Sequence, residues 1–268
     1  MKISVIIPTY KPQSYLWECL DSISQQTFPK EEFEVILVLN GCVEPYKSLI
    51  KKYIAEKMRG VNVNFIHTEE GGVSNALNLA LDAAIGEYIA FIDDDDYISD
   101  CTLSELYKVA SKGSVPICNT TAFLDETKEE LKNYIIKSEF EKCSKKDQIS
   151  IVDARRFFAG PVRKLIHRDI IGARRFDKRF KNGEDSLFMF LISDKIRRVS
   201  CTSTQSVYYR RLRSSSANMQ QRSFLNRFKN SINMIIEYTK IYFSNSKNYN
   251  FKLYCYNILG AAKTAILG

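Results

Sequence analysis

The sequence has few of the residues that build most metal centres and nucleophilic triads. It contains 2 histidines, His67 and His167, and seven cysteines, none of them in a C-x-x-C pair. This composition argues against a zinc site, a disulfide framework and a Ser-His-Asp or Cys-His catalytic centre. Scattered unpaired thiols are typical of proteins from a reducing compartment.

Long apolar runs are also missing. No stretch approaches the roughly 18 to 20 residues that cross a bilayer. The first apolar run, Ile3 to Ile7, stops at Pro8 and is too short for the core of a signal peptide. We therefore expect a cytoplasmic protein. With 45% apolar and 26% charged residues in 268, the chain can bury a full core.

The net charge of +8 is unevenly distributed. Residues 1–150 hold 16 basic and 24 acidic side chains, whereas residues 151–268 hold 23 basic and 7 acidic ones. An acidic half suits a metal-dependent site. A basic half suits phosphate, an anionic membrane surface or nucleic acid.

Strand and helix patterns alternate four times over the first hundred residues, which favours a doubly wound α/β sheet. Apolar runs predict strands at 3–7, 35–39, 61–67 and 88–92. Helical spacing predicts helices that end before Pro29, span Tyr46–Lys57 and run from about Gly72 to Ile85.

Beyond residue 96 the pattern loosens. The charged segment 125–148 predicts a surface helix and loop, and Ile149–Val152 is a candidate for a further strand of the sheet. A basic segment, 155–168, follows. The remaining predictions are an apolar helix at about Ser186–Ile192, a strand at Val207–Arg211 and a Ser-rich loop at 214–216.

The run of four carboxylates, Asp93–Asp96, follows directly after the fourth predicted strand. Adjacent acids repel one another, so this arrangement is costly unless a cation lies among them. Ligand sites lie at the carboxyl ends of parallel strands, and a divalent cation carrying a diphosphate is the simplest candidate. The alternative is a solvated acidic turn before a helix near Thr102, but attachment to a buried strand favours a site.

Five motifs in order resemble family 2 glycosyltransferases of the GT-A fold over about residues 3–215. They are Ser4–Tyr10, Tyr15–Thr27, Gly72–Ala76, Gly86–Asp96 and Glu184–Asp185. The resemblance implies a Rossmann-like, mostly parallel α/β sheet. It also implies a bacterial-type inverting transferase of the capsule or O-antigen kind, which moves one sugar from a nucleotide diphosphate to a hydroxyl of a glycan or lipid-linked acceptor.

The same resemblance divides the chain into a GT-A domain, 1–217, and a helical tail, 218–268. Within the domain, 1–100 would bind the nucleotide sugar and 101–217 the acceptor. The Q-x-x-R-W motif is absent from the sequence, so we expect one sugar per encounter rather than processive synthesis.

By resemblance, Asp93 and Asp95 form a D-x-D pair in which one contacts ribose or metal-bound water and the other coordinates Mn²⁺ or Mg²⁺. Asp94 joins the nucleotide-sugar site. Asp185 is the expected general base. Its alternative role is structural, because Glu184 and Asp185 fall in the first turn of a predicted helix, where the dipole favours negative charge.

The resemblance also implies a nucleotide pocket, and here the chain departs from the family pattern. The expected residues are Pro8, Thr9, Tyr10, Asn40, Ser74 and Asn75. Asn40 stands where the family usually has a carboxylate, but an amide oxygen accepts the same hydrogen bond from a base. We therefore favour a UDP-sugar and leave other nucleotides open. An arginine common in the family is replaced by Leu77.

Several basic residues are candidates for the diphosphate and acceptor side of the site. The family often has a metal-binding histidine near Leu212, and this chain has none. Arg210, Arg211 or Arg213 would then neutralise the diphosphate directly, which leaves the metal open. Lys164 either contacts an acceptor phosphate or belongs to a solvated basic strand, and Glu184 is assigned to the same side.

From Gln220 onward the chain looks helical, with seven basic residues and one acid, Glu237, among apolar ones. One interpretation, which we favour, is that this tail lies on an anionic membrane to meet an undecaprenyl-linked acceptor. The other is that it packs against the catalytic domain or another subunit.

Other classes of protein fit less well. A nucleic-acid-binding protein would not need acids at strand ends, and no such motif is visible, so we expect no nucleic-acid partner. An aspartyl-phosphate phosphatase would carry its D-x-D after the first strand. A sugar-phosphate nucleotidyltransferase would have a long glycine-rich loop where Pro8–Pro12 is stiff. A catalytically silent relative stays open because of Leu39-Asn40.

Overall fold

A computed structural model describes residues 1–213 and 224–267. Its strands are β1 (Ile3–Thr9), β2 (Phe33–Asn40), β3 (Asn62–Thr68), β4 (Tyr88–Phe91), β5 (Tyr97–Ile98), β6 (Ser114–Ile117), β7 (Asn119–Leu124), β8 (Leu165–His167), β9 (Arg198–Cys201) and β10 (Val207–Leu212). Its α-helices are α1 (Tyr15–Ser24), α2 (Tyr46–Lys57), α3 (Val73–Ala83), α4 (Thr102–Lys108), α5 (Ile135–Cys143), α6 (Arg168–Ile171), α7 (Glu184–Leu191), α8 (Phe224–Ser244) and α9 (Phe251–Leu267).

The central sheet has five strands in the order β3-β2-β1-β4-β8. The first four are parallel, and β8 runs antiparallel to β4 at one edge. Every residue of β2 is buried, which explains the unbroken apolar run Val35–Leu39 at its centre. The predicted doubly wound α/β architecture is therefore confirmed.

One close approach sets the position of β4 beside β1. The turn between α3 and β4 passes so near β1 that a Cβ on Gly86 would lie 2.5 Å from the backbone nitrogen of Ser4. The Ser4 hydroxyl accepts a hydrogen bond from the Gly86 N–H at 2.8 Å and donates one to Glu34 at 2.6 Å. Only glycine fits at this crossing.

Two sequence predictions need correction after residue 96. Ile149–Val152 does not extend the central sheet, because Ile149 makes a single bridge to Val199 and the chain then turns. The fifth strand is instead β8, within the basic segment. The predicted surface helix is α5, but one side of it is buried and includes Glu139 and Phe140.

The strand predicted at Val207–Arg211 is confirmed as β10. It lies outside the central sheet, between β5 and β7 in a three-stranded sheet, antiparallel to β5 and parallel to β7. This second sheet brings Tyr208 and the arginines of β10 next to the acidic run.

The helices α8 and α9 pack on each other and on α7. The Tyr238 hydroxyl lies 2.7 Å from the Ser186 hydroxyl, and the Tyr249 hydroxyl donates to the Leu191 carbonyl at 2.9 Å. The tail thus packs against the preceding part of the chain, as one of the two interpretations predicted. The proposed boundary at 217, the Ser-rich loop and the predicted helix start at Gln220 lie outside the described residues. Over the described part of the chain, no helix is long and apolar enough to cross a bilayer.

Candidate functional site

The carboxyl ends of β1, β2 and β4 open into one cleft of about 880 Å³, which we call the donor cleft. Residues predicted for the nucleotide site that line it are Pro8, Thr9, Tyr10, Asn40, Asp93 and Asp94. Tyr10 is 53% exposed, so its ring is accessible at the cleft. Ser74 and Asn75, also predicted for this site, are buried in the first turn of α3 and are not among the residues that line the cleft.

Asn40 ties together the backbone around the donor cleft. Its side-chain N–H donates to the Thr9 carbonyl at 2.8 Å, and its side-chain oxygen accepts from the Gly72 N–H at 3.0 Å. An amide oxygen has two lone pairs, so one acceptor position remains for a ligand. Asn40 therefore has a structural role that the sequence analysis did not foresee.

An acidic cluster borders the donor cleft, with Asp93 and Asp95 in the cleft wall and Asp96 buried. Carboxylate oxygens of Asp93, Asp95 and Asp96 lie within 4.8 Å of one another. Asp94 points elsewhere and accepts a hydrogen bond from the Thr9 hydroxyl at 2.5 Å. The structure thus brings Asp93 and Asp95 together, as the D-x-D pattern predicts, and adds Asp96.

Asp96 was not among the predicted site residues, because its position depends on β10. The Arg211 backbone N–H donates to its carboxylate at 2.8 Å, and the Tyr208 hydroxyl bonds to it as well. The only signal in the sequence was its place as the fourth acid in the run.

The carboxylates of the acidic cluster are difficult to ionise together. Burial and the neighbouring Asp95 raise the pKa of Asp93 to about 6, and burial raises the pKa of Asp94 to about 7 despite the bond from Thr9. Burial and the charges of Asp93 and Asp95 raise the pKa of Asp96 well above its ordinary value. Closely spaced oxygen donors whose repulsion the neighbouring arginines offset only in part fit a hard divalent cation such as Mn²⁺ or Mg²⁺.

Of the three arginines proposed to face the diphosphate, Arg213 is the one that lines the donor cleft. Its guanidinium contacts Asp95 at 2.6 Å and lies 4.4 Å from the Tyr15 ring centre. Arg210 is partly buried and donates to the Tyr134 hydroxyl at 3.2 Å. Its positive charge also reaches Asp93, whose pKa it lowers slightly against the effect of burial.

Arg211 does not line the donor cleft. Its side chain is 1% exposed and binds Glu18 and Asp125, each at 2.6 Å, and the Asp95 carbonyl at 2.7 Å. These contacts join β10 to α1 and β7 and leave the guanidinium facing protein on all sides. The Arg211 guanidinium therefore has a structural role.

Asp185 lies in the first turn of α7, after Gly183 in the left-handed conformation. Burial raises its pKa to about 8, with further contributions from Glu184 and Asp93. Because the charge of Asp93 contributes, Asp185 and the acidic cluster lie close enough to interact. Gly160 faces this carboxylate, since a Cβ there would lie 3.6 Å from Asp185 Oδ2.

Lys164 is neither solvated nor exposed to a ligand. It is 1% exposed, and its ammonium donates to the carbonyls of Gly160 and Val162 at 2.5 and 2.7 Å. The interpretation as a solvated basic strand is wrong. Lys164 instead holds the loop that faces Asp185. The neighbouring Arg163, which the sequence analysis passed over, lies 5.5 Å from the Tyr208 ring centre and counteracts the charge of Asp93.

Together, the mostly parallel sheet, the cleft at its carboxyl edge and the acidic cluster beside it define a GT-A type nucleotide-binding fold. Residues 4–174 match the family model described as glycosyl transferase family 2, and the chain belongs to that family.

Among curated proteins, the chain is 28% identical over 220 residues to the poly(ribitol-phosphate) beta-N-acetylglucosaminyltransferase TarS of Staphylococcus aureus. The match covers 78% of this chain and 35% of TarS, so the chain spans about a third of the length of this relative.

Solved structures share the fold at lower identity. S. aureus TarS 1–349 in complex with UDP-GlcNAc superposes with a TM-score of 0.71 at 21% identity, covering 99% of this chain and 82% of that one. A mannosyltransferase of Pyrobaculum calidifontis in complex with GDP-Man and Mn²⁺ gives a TM-score of 0.59 at 16% identity, covering 98% and 73%. The GT-A fold prediction is confirmed.

Proposed function

We propose that the protein transfers a single sugar from a nucleotide diphosphate to a hydroxyl group of a cell-surface glycan, with inversion at the sugar carbon. The observation that carries this proposal is the position of Asp185. Its carboxylate has a pKa of about 8 and interacts with the acidic cluster at the edge of the donor cleft. A base with a pKa near the working pH and a cation-binding wall are the two groups that such a transfer needs.

The protein's own residues have distinct roles in this reaction. The acceptor oxygen attacks the anomeric carbon as the bond to the diphosphate breaks, and Asp185 takes the hydroxyl proton. Arg213 faces the departing diphosphate from the wall of the donor cleft. Asp93, Asp95 and Asp96 would hold Mn²⁺ or Mg²⁺, which when bound supplies positive charge to the leaving group.

We favour a UDP-linked hexose or N-acetylhexosamine as the donor. The support is the relative named as an N-acetylglucosaminyltransferase and the solved neighbour with UDP-GlcNAc. Tyr10 at the mouth of the donor cleft and the second lone pair of Asn40 are the groups that would contact the base.

The outer face of the helical tail would bind an anionic membrane that carries a lipid-linked acceptor. Large apolar side chains remain exposed along α8: Phe224, Leu225, Phe228, Ile232, Ile236 and Phe243. Leu225 is 75% exposed and Phe243 is 70% exposed. Sedimentation with anionic liposomes at low salt tests this role, and a protein that stays in the supernatant contradicts it.

The function is tested with a panel of sugar nucleotides. We expect one of them to raise the melting temperature in the presence of Mn²⁺ and to release nucleoside diphosphate slowly, because a ligand that binds only the folded state stabilises it. The Asp185→Asn variant should keep the thermal shift and lose transfer by roughly 10²-fold or more. Asp147→Asn, an exposed carboxylate in the loop after α5, is the matched control. If no sugar nucleotide shifts the melting temperature, the protein is a catalytically silent relative.

A further inference from the structure

A second concave surface lies between α5, the short 3₁₀ turn at Arg155–Ala159 and the helical tail. Its outer part has a volume of about 870 Å³ and its inner part about 450 Å³. The two parts share Arg155, Arg156 and Tyr256, so they form one continuous surface, which we call the tail trough. None of the residues assigned above to the reaction lines it.

The outer part of the tail trough carries a surplus of positive charge. Five basic side chains line it with two carboxylates, and both carboxylates are already paired: Glu139 binds Arg156 at 2.7 Å, and Asp153 binds Lys146. Lys142 and Lys145 are exposed, and neither pairs with a carboxylate among the described residues. A net charge of three positive faces the trough, which predicts a polyanionic ligand.

Arg155 is also available to an anion. Its guanidinium lies 4.5 Å from the ring centre of Tyr256 on α9, which holds it at the junction of the outer and inner parts. A stacked guanidinium keeps its N–H donors in the plane of the group, where they bind phosphate oxygens.

Apart from the shared Arg155 and Arg156, the inner part of the tail trough is uncharged, and it ends near the proposed base. It combines apolar side chains such as Met234 and Leu253 with neutral hydrogen-bonding groups. Its side-chain amides and hydroxyls belong to Asn182, Ser186, Asn230, Ser231, Asn257 and Thr264. The same wall includes Gly183 and Ala159. Gly183 begins the turn that carries Asp185, and Ala159 precedes the Gly160 that faces its carboxylate. Neutral hydrogen-bonding groups of this kind suit polyol or sugar hydroxyls.

We propose that the tail trough binds the acceptor, and that this acceptor is a polymer of polyol or sugar units joined by phosphodiesters. The outer part holds the phosphates, and the inner part holds the hydroxyl-bearing units, with its end at Gly183 and Ala159 leading toward Asp185. The placement of these hydroxyl-bearing units near Asp185 rests on the proposed function. The tail helices supply one wall, so they belong to the acceptor site.

The shape and composition of the trough favour this polymer over other polyanions. A concave channel accommodates a chain, whereas a membrane is flat on this scale. Single-stranded nucleic acid is usually bound by aromatic side chains that stack on its bases. Two tyrosines line the trough: Tyr256 is 45% exposed and has Arg155 over its ring, whereas Tyr238 is buried against Ser186, so successive bases would find no second ring to stack on.

A charge-reversal pair tests the outer part of the trough. The probe is fluorescently labelled poly(ribitol phosphate), and its binding is followed by anisotropy at low salt. We expect the Lys142→Glu/Lys145→Glu variant to weaken binding by ten-fold or more. The Lys51→Glu/Lys52→Glu variant carries the same change in net charge on the exposed face of α2 and should weaken it by less than two-fold. Equal weakening by the two variants, or none by the first, overturns the proposal.

A steric variant tests the inner part. Gly260 on α9 lines the inner trough, and a Cβ placed there meets no atom within 4 Å. Gly260→Phe should fill this space and weaken poly(ribitol phosphate) binding by ten-fold or more, whereas Gly260→Ala should leave it unchanged. Unchanged binding by the Phe variant, with a normal melting temperature, contradicts the assignment of the inner part.

Competitors and donor assays separate the remaining outcomes. If single-stranded DNA or vesicles of anionic phospholipid bind more tightly than poly(ribitol phosphate) and lose binding in the Lys142→Glu/Lys145→Glu variant, the polymer assignment is wrong. If the polymer binds as expected but no sugar nucleotide is bound or hydrolysed by the unmodified protein, the proposed function fails and the trough stands.

Discussion

Replacing Asp185 by asparagine should stabilise the metal-free protein, and more so as the pH rises. The carboxylate of Asp185 has an ordinary pKa of 3.8 and a folded pKa of about 8. The folded protein therefore retains a proton that the unfolded chain releases. Its contribution to stability is complete below about pH 4 and declines until about pH 8.

The magnitude follows from proton linkage. Between the two pKa values one extra proton is bound on folding, so the free energy of unfolding falls by at most about 1.4 kcal/mol per pH unit. From about pH 6 to about pH 7.5, the unmodified protein should lose up to about 2 kcal/mol relative to Asp185→Asn. Asp93 and Asp94 titrate in both proteins, so the difference between the two proteins reports Asp185.

Urea unfolding in the presence of a chelator, at these two pH values, measures the effect. The chelator keeps divalent ions from the acidic cluster. Asp147→Asn serves as the control and should follow the unmodified protein. If the free energies of unfolding of Asp185→Asn and the unmodified protein change in parallel with pH, Asp185 is not protonated in the folded state, and the main support for its role as base is lost.

Four further substitutions separate chemistry from structure. Asp95→Asn should abolish the thermal shift caused by Mn²⁺, measured by differential scanning fluorimetry, because it removes one of the three clustered carboxylates. Arg213→Ala should weaken nucleotide diphosphate binding in calorimetry by about ten-fold with little loss of stability. Arg211→Ala should instead lower the free energy of urea unfolding by about 1–3 kcal/mol, because it removes a buried guanidinium that binds the Asp95 carbonyl, Glu18 and Asp125. Gly86→Ala should lower the same free energy by about 1–3 kcal/mol, because its methyl group would overlap the backbone of β1. Equal unfolding energies for the two arginine variants, or an unchanged Gly86→Ala protein, would contradict these assignments.

Local pattern was enough to predict the elements that form the donor side. The helix over Tyr46–Lys57 has the predicted bounds, and the four parallel strands lie where apolar runs indicated them. The position of Asp93 and Asp95 at the edge of the sheet was predictable too, because the carboxyl ends of parallel strands meet at one edge.

The basic half of the chain was harder to predict. Ile149–Val152 is as apolar as an edge strand, yet β8 formed instead from Leu165–His167. Lys164 was predicted either to contact an acceptor phosphate or to be solvated, but it is buried and donates to two backbone carbonyls. Arg211 looked like a diphosphate ligand, but its ion pair with Glu18 joins residues 193 positions apart, and no local pattern carries that information.

The amino-acid sequence by itself determined the family, the parallel sheet and the acidic run at the end of a strand, because periodicity and motif order are local properties. The tertiary structure alone decided which side chains are free to act. Packing brought the Asp96 carboxylate close to those of Asp93 and Asp95, and it hydrogen-bonded the Asn40 amide to the backbone. It also placed α9 opposite α5, which forms the tail trough. These outcomes depend on contacts between distant segments, where burial and charge pairing are set.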